Sequence, residues 1–177
     1  MVNFAIARAA ILGYKLRHLK MYSDGSSESS FHGLRNIVME HKDLIKYVEE
    51  ANESLKWYFL GEFIVKSYHI SVSISNVMHS NKNILYFLVF ILHLLIQVGL
   101  VYTRANELSL KSTNLSVEIF KSNWYEQSSK VKRSLLIVMA RAQRPLVFTI
   151  GNFRVIDIEM FVNMTKAAYT FVLYQKM

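Results

Sequence analysis

The chain has 177 residues, 52% of them hydrophobic, with a net charge of +8, a mean hydropathy of +0.19 and a pI near 9.6. A soluble domain this apolar would need an unusually large core, and basic charge alone fits nucleic acid, anionic lipid or the cytosolic loops of a membrane protein, so charge placement must decide. The absence of cysteine excludes a disulfide framework, a cysteine zinc site and a cysteine nucleophile.

In residues 1–21 an apolar stretch, Phe4 to Leu12, precedes basic residues. That order is the reverse of a signal peptide, and no small-residue cleavage site follows. The segment reads as the end of a membrane helix leaving into the cytosol, its first half missing. Residues 22–53 begin as a Ser/Gly-rich loop, Tyr22 to Ser30, and continue as an amphipathic helix. Its apolar face is Leu34, Ile37, Val38, His41, Leu44, Ile45 and Val48; Glu40, Lys42, Lys46, Glu49 and Glu50 fill the other.

Residues 54–78 extend this helix with an apolar stretch interrupted by Lys56, Glu62, Lys66 and His69. Charges at membrane depth face protein or water. The segment is therefore either a packed inner membrane helix or the stalk of one, and we read its second half as spanning. His79 to Asn83 is too short for anything but an antiparallel return. Ile84 to Tyr102, in a segment 84–103, carries no charge over 19 residues. At about 1.5 Å per residue this run crosses the hydrocarbon core.

Residues 104–133 are expected as a cytosolic loop, polar at first, then amphipathic to Tyr125, then basic at Lys130, Lys132 and Arg133. Residues 134–176 read as a final helix broken near Pro145 and Gly151, since proline removes a helical hydrogen bond and glycine permits a turn. The expected fold is thus all-α and polytopic, with about three transmembrane helices plus cytosolic amphipathic helices.

Tyr14 to Asn52 and Arg104 to Arg133 hold six Lys/Arg each, against Lys82 alone in the link between the spans. The positive-inside rule places both long segments in the cytosol, the amino end inside and the carboxyl end outside. The sequons at Asn52, Asn114 and Asn163 then lie in cytosol or membrane and stay unglycosylated. Because the basic charge is topological, no nucleic-acid partner is expected. The six histidines lack ligand spacing and read as helix-surface or core residues, so neither a metal nor a cofactor is expected. No triad spacing, P-loop or dinucleotide fingerprint points to an enzyme.

The stretch Asn114 to Gly151, with Phe120, Trp124, Arg141, Gln143, Pro145 and Gly151 at their spacing, resembles the cytosolic loop and the start of the last helix of insect odorant receptors. Ile11 to Leu19 looks like the cytosolic exit of that family's fourth helix, and His41 to Asn52 like the lead into its fifth. The resemblance covers nearly the whole chain but only the family's C-terminal part. It implies a truncated form of a receptor that spans the membrane seven times.

What the family implies is a plasma-membrane subunit of an odorant-gated, non-selective cation channel, a hetero-tetramer with the odorant co-receptor, taking a volatile small-molecule ligand. The last helix would line the pore, and a cytosolic anchor would join subunits. In the last helix Asn163, Lys166 and Thr170 form a polar stripe suited to a pore wall or to a helix–helix contact. The resemblance adds Val172 at the gate ring and Gln175 beside it. In the anchor Leu135, Leu136, Val138 and Met139 would pack against neighbouring subunits, with Trp124 and Tyr125 wedging them and Pro145 and Gly151 bounding the piece. Tyr86, Phe87 and Phe90 put aromatic rings on one side of the Ile84 to Tyr102 helix, as a ligand wall or as lipid-facing or core aromatics.

The competing expectations are a truncated, non-conducting membrane polypeptide that only associates with other subunits or is degraded, and a soluble basic protein with a hydrophobic core. An alkaline carbonate wash of membranes separates the last of these: an integral protein is expected in the pellet, and release into the supernatant would reject the spanning helix.

Overall fold

The computed structural model describes residues 1–18, 27–79 and 84–176. Its helices are α1 (Val2–Arg17), α2 (Ser27–His79), α3 (Ile84–Lys121), α4 (Ser129–Ala142) and α5 (Ile158–Lys176). A short 3-10 helix, Trp124–Glu126, precedes α4. Two short antiparallel strands, β1 (Thr149–Ile150) and β2 (Arg154–Val155), form a hairpin before α5. The chain divides into two compact units, one of residues 1–51 and 107–147, the other of residues 52–106 and 148–177.

In the first unit the core follows the helical period. Leu12 and Leu16 of α1 are buried, as are Leu34, Ile37, Leu44 and Val48 of α2, Leu108, Leu115 and Ile119 of α3, and Val131 and Leu135 of α4. Gly13 lies in α1 where an added Cβ would touch Leu115 and Glu118 at 3.6 Å, so α1 approaches α3 closely there. Lys15 bridges to Glu40 at 2.6 Å, tying α1 to α2. In the second unit the buried set is Ile70, Leu94, Val98, Tyr102, Ala105, Phe148, Ile150 and Ile156.

Two expectations are corrected. The loop expected from Tyr22 to Ser30 gives way to helix at Ser27, consistent with serine's preference for helix starts. Residues 104–133 are not a loop in their first part, because α3 runs on to Lys121. Leu108, Leu115 and Ile119 keep the apolar face going, while Ser112, Thr113 and Ser116 donate their hydroxyls to carbonyls three or four residues back and so spend their polarity inside the helix. The break expected near Pro145 and Gly151 is present: α4 ends at Ala142 and the hairpin intervenes before α5, although α4 starts at Ser129 rather than Ser134.

Among the described residues α3 is the one helix long and apolar enough to cross a membrane, and only 11% of its most apolar window is buried. A core helix of a soluble protein would be mostly covered; Leu85, Leu88, Val89, Leu92, Ile96 and Leu100 are instead exposed. The polypeptide is of the polytopic, all-helical membrane class.

The hairpin turns at Gly151, whose φ of +55° is left-handed. An added Cβ would also meet the Phe153 ring at 3.0 Å. Gly151→Ala is therefore expected to destabilise the detergent-solubilised protein by about 1–2 kcal/mol, read as a lower thermal midpoint; an unchanged midpoint would show that the left-handed turn is dispensable.

Candidate functional site

Near the start of α3 the three aromatic side chains expected on one side do meet. Tyr86 lies edge-on to Phe87 at 5.4 Å between ring centroids and stacks on Phe90 at 6.4 Å with an 8° interplanar angle. The cluster has a fourth member that the sequence did not single out, His69 of α2, edge-on to Phe90 at 6.2 Å. Only its place in the interrupted apolar stretch hinted at it. Aromatic edges and faces at these separations are mutually attractive and present an apolar, polarizable surface.

Farther along the same helices Glu62 and Lys66 form an ion pair one turn apart on α2, with both side chains largely covered. They line a small cavity of about 20 Å³ with Phe59, Tyr102, Ile156 and Met164. Burying either charge alone would be costly, and pairing offsets that cost.

α5 has two faces. On one, Phe161 lies against Gly99, at 3.6 Å from where a Cβ would stand, and near the Tyr102 ring at 6.2 Å. The Tyr102 hydroxyl reaches the Met160 sulfur at 3.9 Å, and Met164 lines the cavity. On the other face Asn163, Lys166 and Thr170 are exposed in a row of three-and-four spacing. Thr170 spends its hydroxyl on the Lys166 carbonyl at 2.9 Å. Val172 and Gln175 fall within α5, and their side chains lie outside the described residues.

In α4 the structure redistributes the expected anchor residues. Leu135 and Val138, with Val131 and Ala142, face the chain's own core, so they are not available to a neighbouring subunit. The outward apolar strip is Leu136 with Ile137, the latter 71% exposed and missed because the run SLLIVMA gives no phase of its own. Met139 is half-buried and Trp124 likewise, whereas Tyr125 and Phe120 are exposed. A groove of about 470 Å³ runs beside Ile137, bordered by Phe31, Arg35, Met39 and Lys42 of α2. Pro145 is exposed just beyond α4, and the following Leu146 N–H donates to the Ser112 hydroxyl at 2.9 Å.

His41 of α2 is buried. Burial lowers its pKa from 6.5, and the positive charge of Arg141 lowers it further; Arg141 itself reaches Glu49 at 3.8 Å.

Comparison with known proteins agrees with this architecture. The family model described as 7tm Odorant receptor matches residues 1–169. The chain is 29% identical to Odorant receptor 10 of Aedes albopictus over 88% of its length and 43% of that protein's, and 26% identical to Odorant receptor Or2 of Anopheles gambiae over 95% and 47%. The solved structure of the insect olfactory receptor OR5 of Machilis hrabei in complex with eugenol superposes with a TM-score of 0.85, covering 98% of this chain and 44% of that one at 18% identity. The unliganded OR5 structure gives 0.86. The chain spans less than half the length of these curated relatives. It belongs to the 7tm odorant receptor family, a family of membrane receptors.

The buried histidine generates a pH dependence. Because the folded-state pKa of His41 is depressed, the unfolded chain takes up a proton first, so stability is fully present above about pH 6.5 and falls as pH drops below it. Thermal unfolding at about pH 7.5 and about pH 5.5 is expected to show a smaller loss of midpoint in His41→Gln than in the parent; equal losses would exclude His41 as the proton acceptor.

Proposed function

We propose that this chain forms part of a subunit of an odorant-gated, non-selective cation channel of the plasma membrane, working as a hetero-tetramer with the odorant co-receptor. The observation that carries the proposal is the division of α5: Met160, Phe161 and Met164 pack inward while Asn163, Lys166 and Thr170 form an exposed polar row on a helix that also bears exposed Val162. A polar row on a membrane helix requires water or protein opposite it. Four such rows around an axis would make a wet pore, closed by an apolar constriction where Val172 falls, with Gln175 beside it.

The remaining roles follow from this arrangement. α3 and the parts of α2 and α5 that flank it would span the bilayer, with the amino end cytosolic and the carboxyl end extracellular, in keeping with the positive-inside count. Tyr86, Phe87 and Phe90, joined by His69, would form one wall of a pocket that takes a volatile ligand by shape and dispersion. The outward strip of α4, Leu136 and Ile137 with Tyr125, would meet neighbouring subunits beside Trp124, Met139, Pro145 and Gly151.

This segment has no cysteine, so an introduced one is the single thiol it contributes, and its effect is read against the parent receptor treated with the same reagent. In a receptor carrying this segment, co-expressed with co-receptor, odorant is expected to evoke an inward cation current. A charged, water-soluble thiol reagent should block that current in Thr170→Cys and leave Leu88→Cys untouched, since Leu88 lies on the exposed apolar side of α3. Equal block in both, or in neither, would remove α5 from the pore. A polypeptide that reaches the membrane yet passes no current would instead be the non-conducting associate.

A further inference from the structure

The hairpin before α5 hangs from α2 by hydrogen bonds that neither strand pairing nor the family role requires. The Thr149 N–H donates to Asn52 Oδ1 at 2.8 Å; the Thr149 hydroxyl, with one hydrogen to give, lies 2.8 Å from the Gly151 carbonyl and 3.2 Å from the same Oδ1. One turn later on α2, the Lys56 carbonyl accepts the Gly151 N–H at 2.9 Å, delivered by the left-handed turn at Gly151. Phe148 lies edge-on to Phe59 of α2 at 6.1 Å and is buried with Ile150 and Ile156.

The bonds continue without a gap to the foot of α5. The Ile156 N–H donates to the Phe148 carbonyl at 2.8 Å, closing the hairpin. Asp157 then caps α5, its Oδ1 accepting the Met160 N–H at 2.8 Å. From Asn52 to Met160 the path is one run of short bonds on a paired backbone. The rest of α5 is held far less firmly: none of its described side chains is fully buried.

We propose that Asn52 is a positioning residue for channel gating: through Thr149 it fixes the foot of α5 to α2, so that the setting of α2 biases the helix between closed and open placements. This rests on α5 being the pore helix. A side-chain amide suits the task, because its carbonyl oxygen has two lone pairs, one taking the Thr149 N–H and the other within 3.2 Å of the Thr149 hydroxyl. Asn52 also opens one of the chain's sequons, and its carbonyl oxygen is committed to the hairpin.

The test uses the receptor expressed with its co-receptor, comparing odorant concentration–response curves at equal surface level. Asn52→Ala, which leaves the Thr149 N–H without its acceptor, is expected to move the half-activating concentration by about three- to ten-fold. Asn52→Asp keeps an acceptor in place and should stay within about two-fold of the parent. Thr149→Val keeps the N–H bond to Asn52 and removes only the hydroxyl, whose nearer acceptor is the Gly151 carbonyl at 2.8 Å, so it should shift the response less than Asn52→Ala. An unchanged response in Asn52→Ala, or an equal shift in Asn52→Asp, would overturn the proposal. Hydrogen exchange of the Thr149 and Gly151 amides in the solubilised protein separates the two ways of failing. Faster exchange in Asn52→Ala with no shift in response would mean that the bond exists but does not gate. Thiol block at α5 failing in the parent would overturn the pore assignment, and the gating role with it.

Discussion

Backbone polar groups that no water reaches must find partners inside the protein, and this one requirement explains most of the architecture. The long helices meet it internally. The stretch between α4 and α5 cannot, since Pro145 and Gly151 break the helical ladder and leave a run of backbone that two short strands only partly pair. Three of the freed donors are met from outside the ladder: Leu146 by the Ser112 hydroxyl, Thr149 by Asn52, Gly151 by the Lys56 carbonyl. Asn52 of α2 and Ser112 of α3 are thus the side-chain acceptors on which the irregular segment depends.

The same logic governs the charges. Lys56 with Glu53 and Glu62 with Lys66 pair locally within α2, and in each pair at least one member is substantially covered. Exposed pairs of this kind add little, but a covered charge left alone would be costly, so these pairs make the helices tolerable where they run rather than holding the fold together. His41 shows the alternative solution: it is buried beside a cation and stays neutral instead of pairing.

What the sequence made legible was whatever has a period. The face Leu34, Ile37, His41, Leu44 and Val48 reads directly from helical spacing and is buried as such, and the uncharged run of α3 reads from its length. Three features have no period to read. α3 continues past Arg104 because hydroxyls satisfied within the helix look, in sequence, like loop polarity. The hairpin strands are two residues long, below any alternation. In SLLIVMA every residue is apolar, so the sequence cannot say that Leu135 turns inward and Ile137 outward; only the packing of Val131, Leu135, Val138 and Ala142 sets that phase. The aromatic cluster was half legible: Tyr86, Phe87 and Phe90 lie within one helix, whereas His69 comes from another.

α5 brings these threads together, because it is fastened at one end while none of its described side chains is fully buried. Its foot is capped by Asp157 and tied through the hairpin to α2, while above that point Met160, Phe161 and Met164 are only partly covered. Gly99 allows the Phe161 ring to lie against the α3 backbone, but a half-buried ring supplies only part of the roughly 1.5–3 kcal/mol that full burial of such a side chain gives. Asn163, Lys166 and Thr170 are exposed among the described residues and call for a polar surface opposite them. A helix with a firm foot, a weak flank and an unsatisfied polar face is poorly suited to a static core. In the proposed channel those same properties let the far end of α5 move against its neighbours while the near end keeps its register, which places the control of that movement in the hydrogen bonds at its foot.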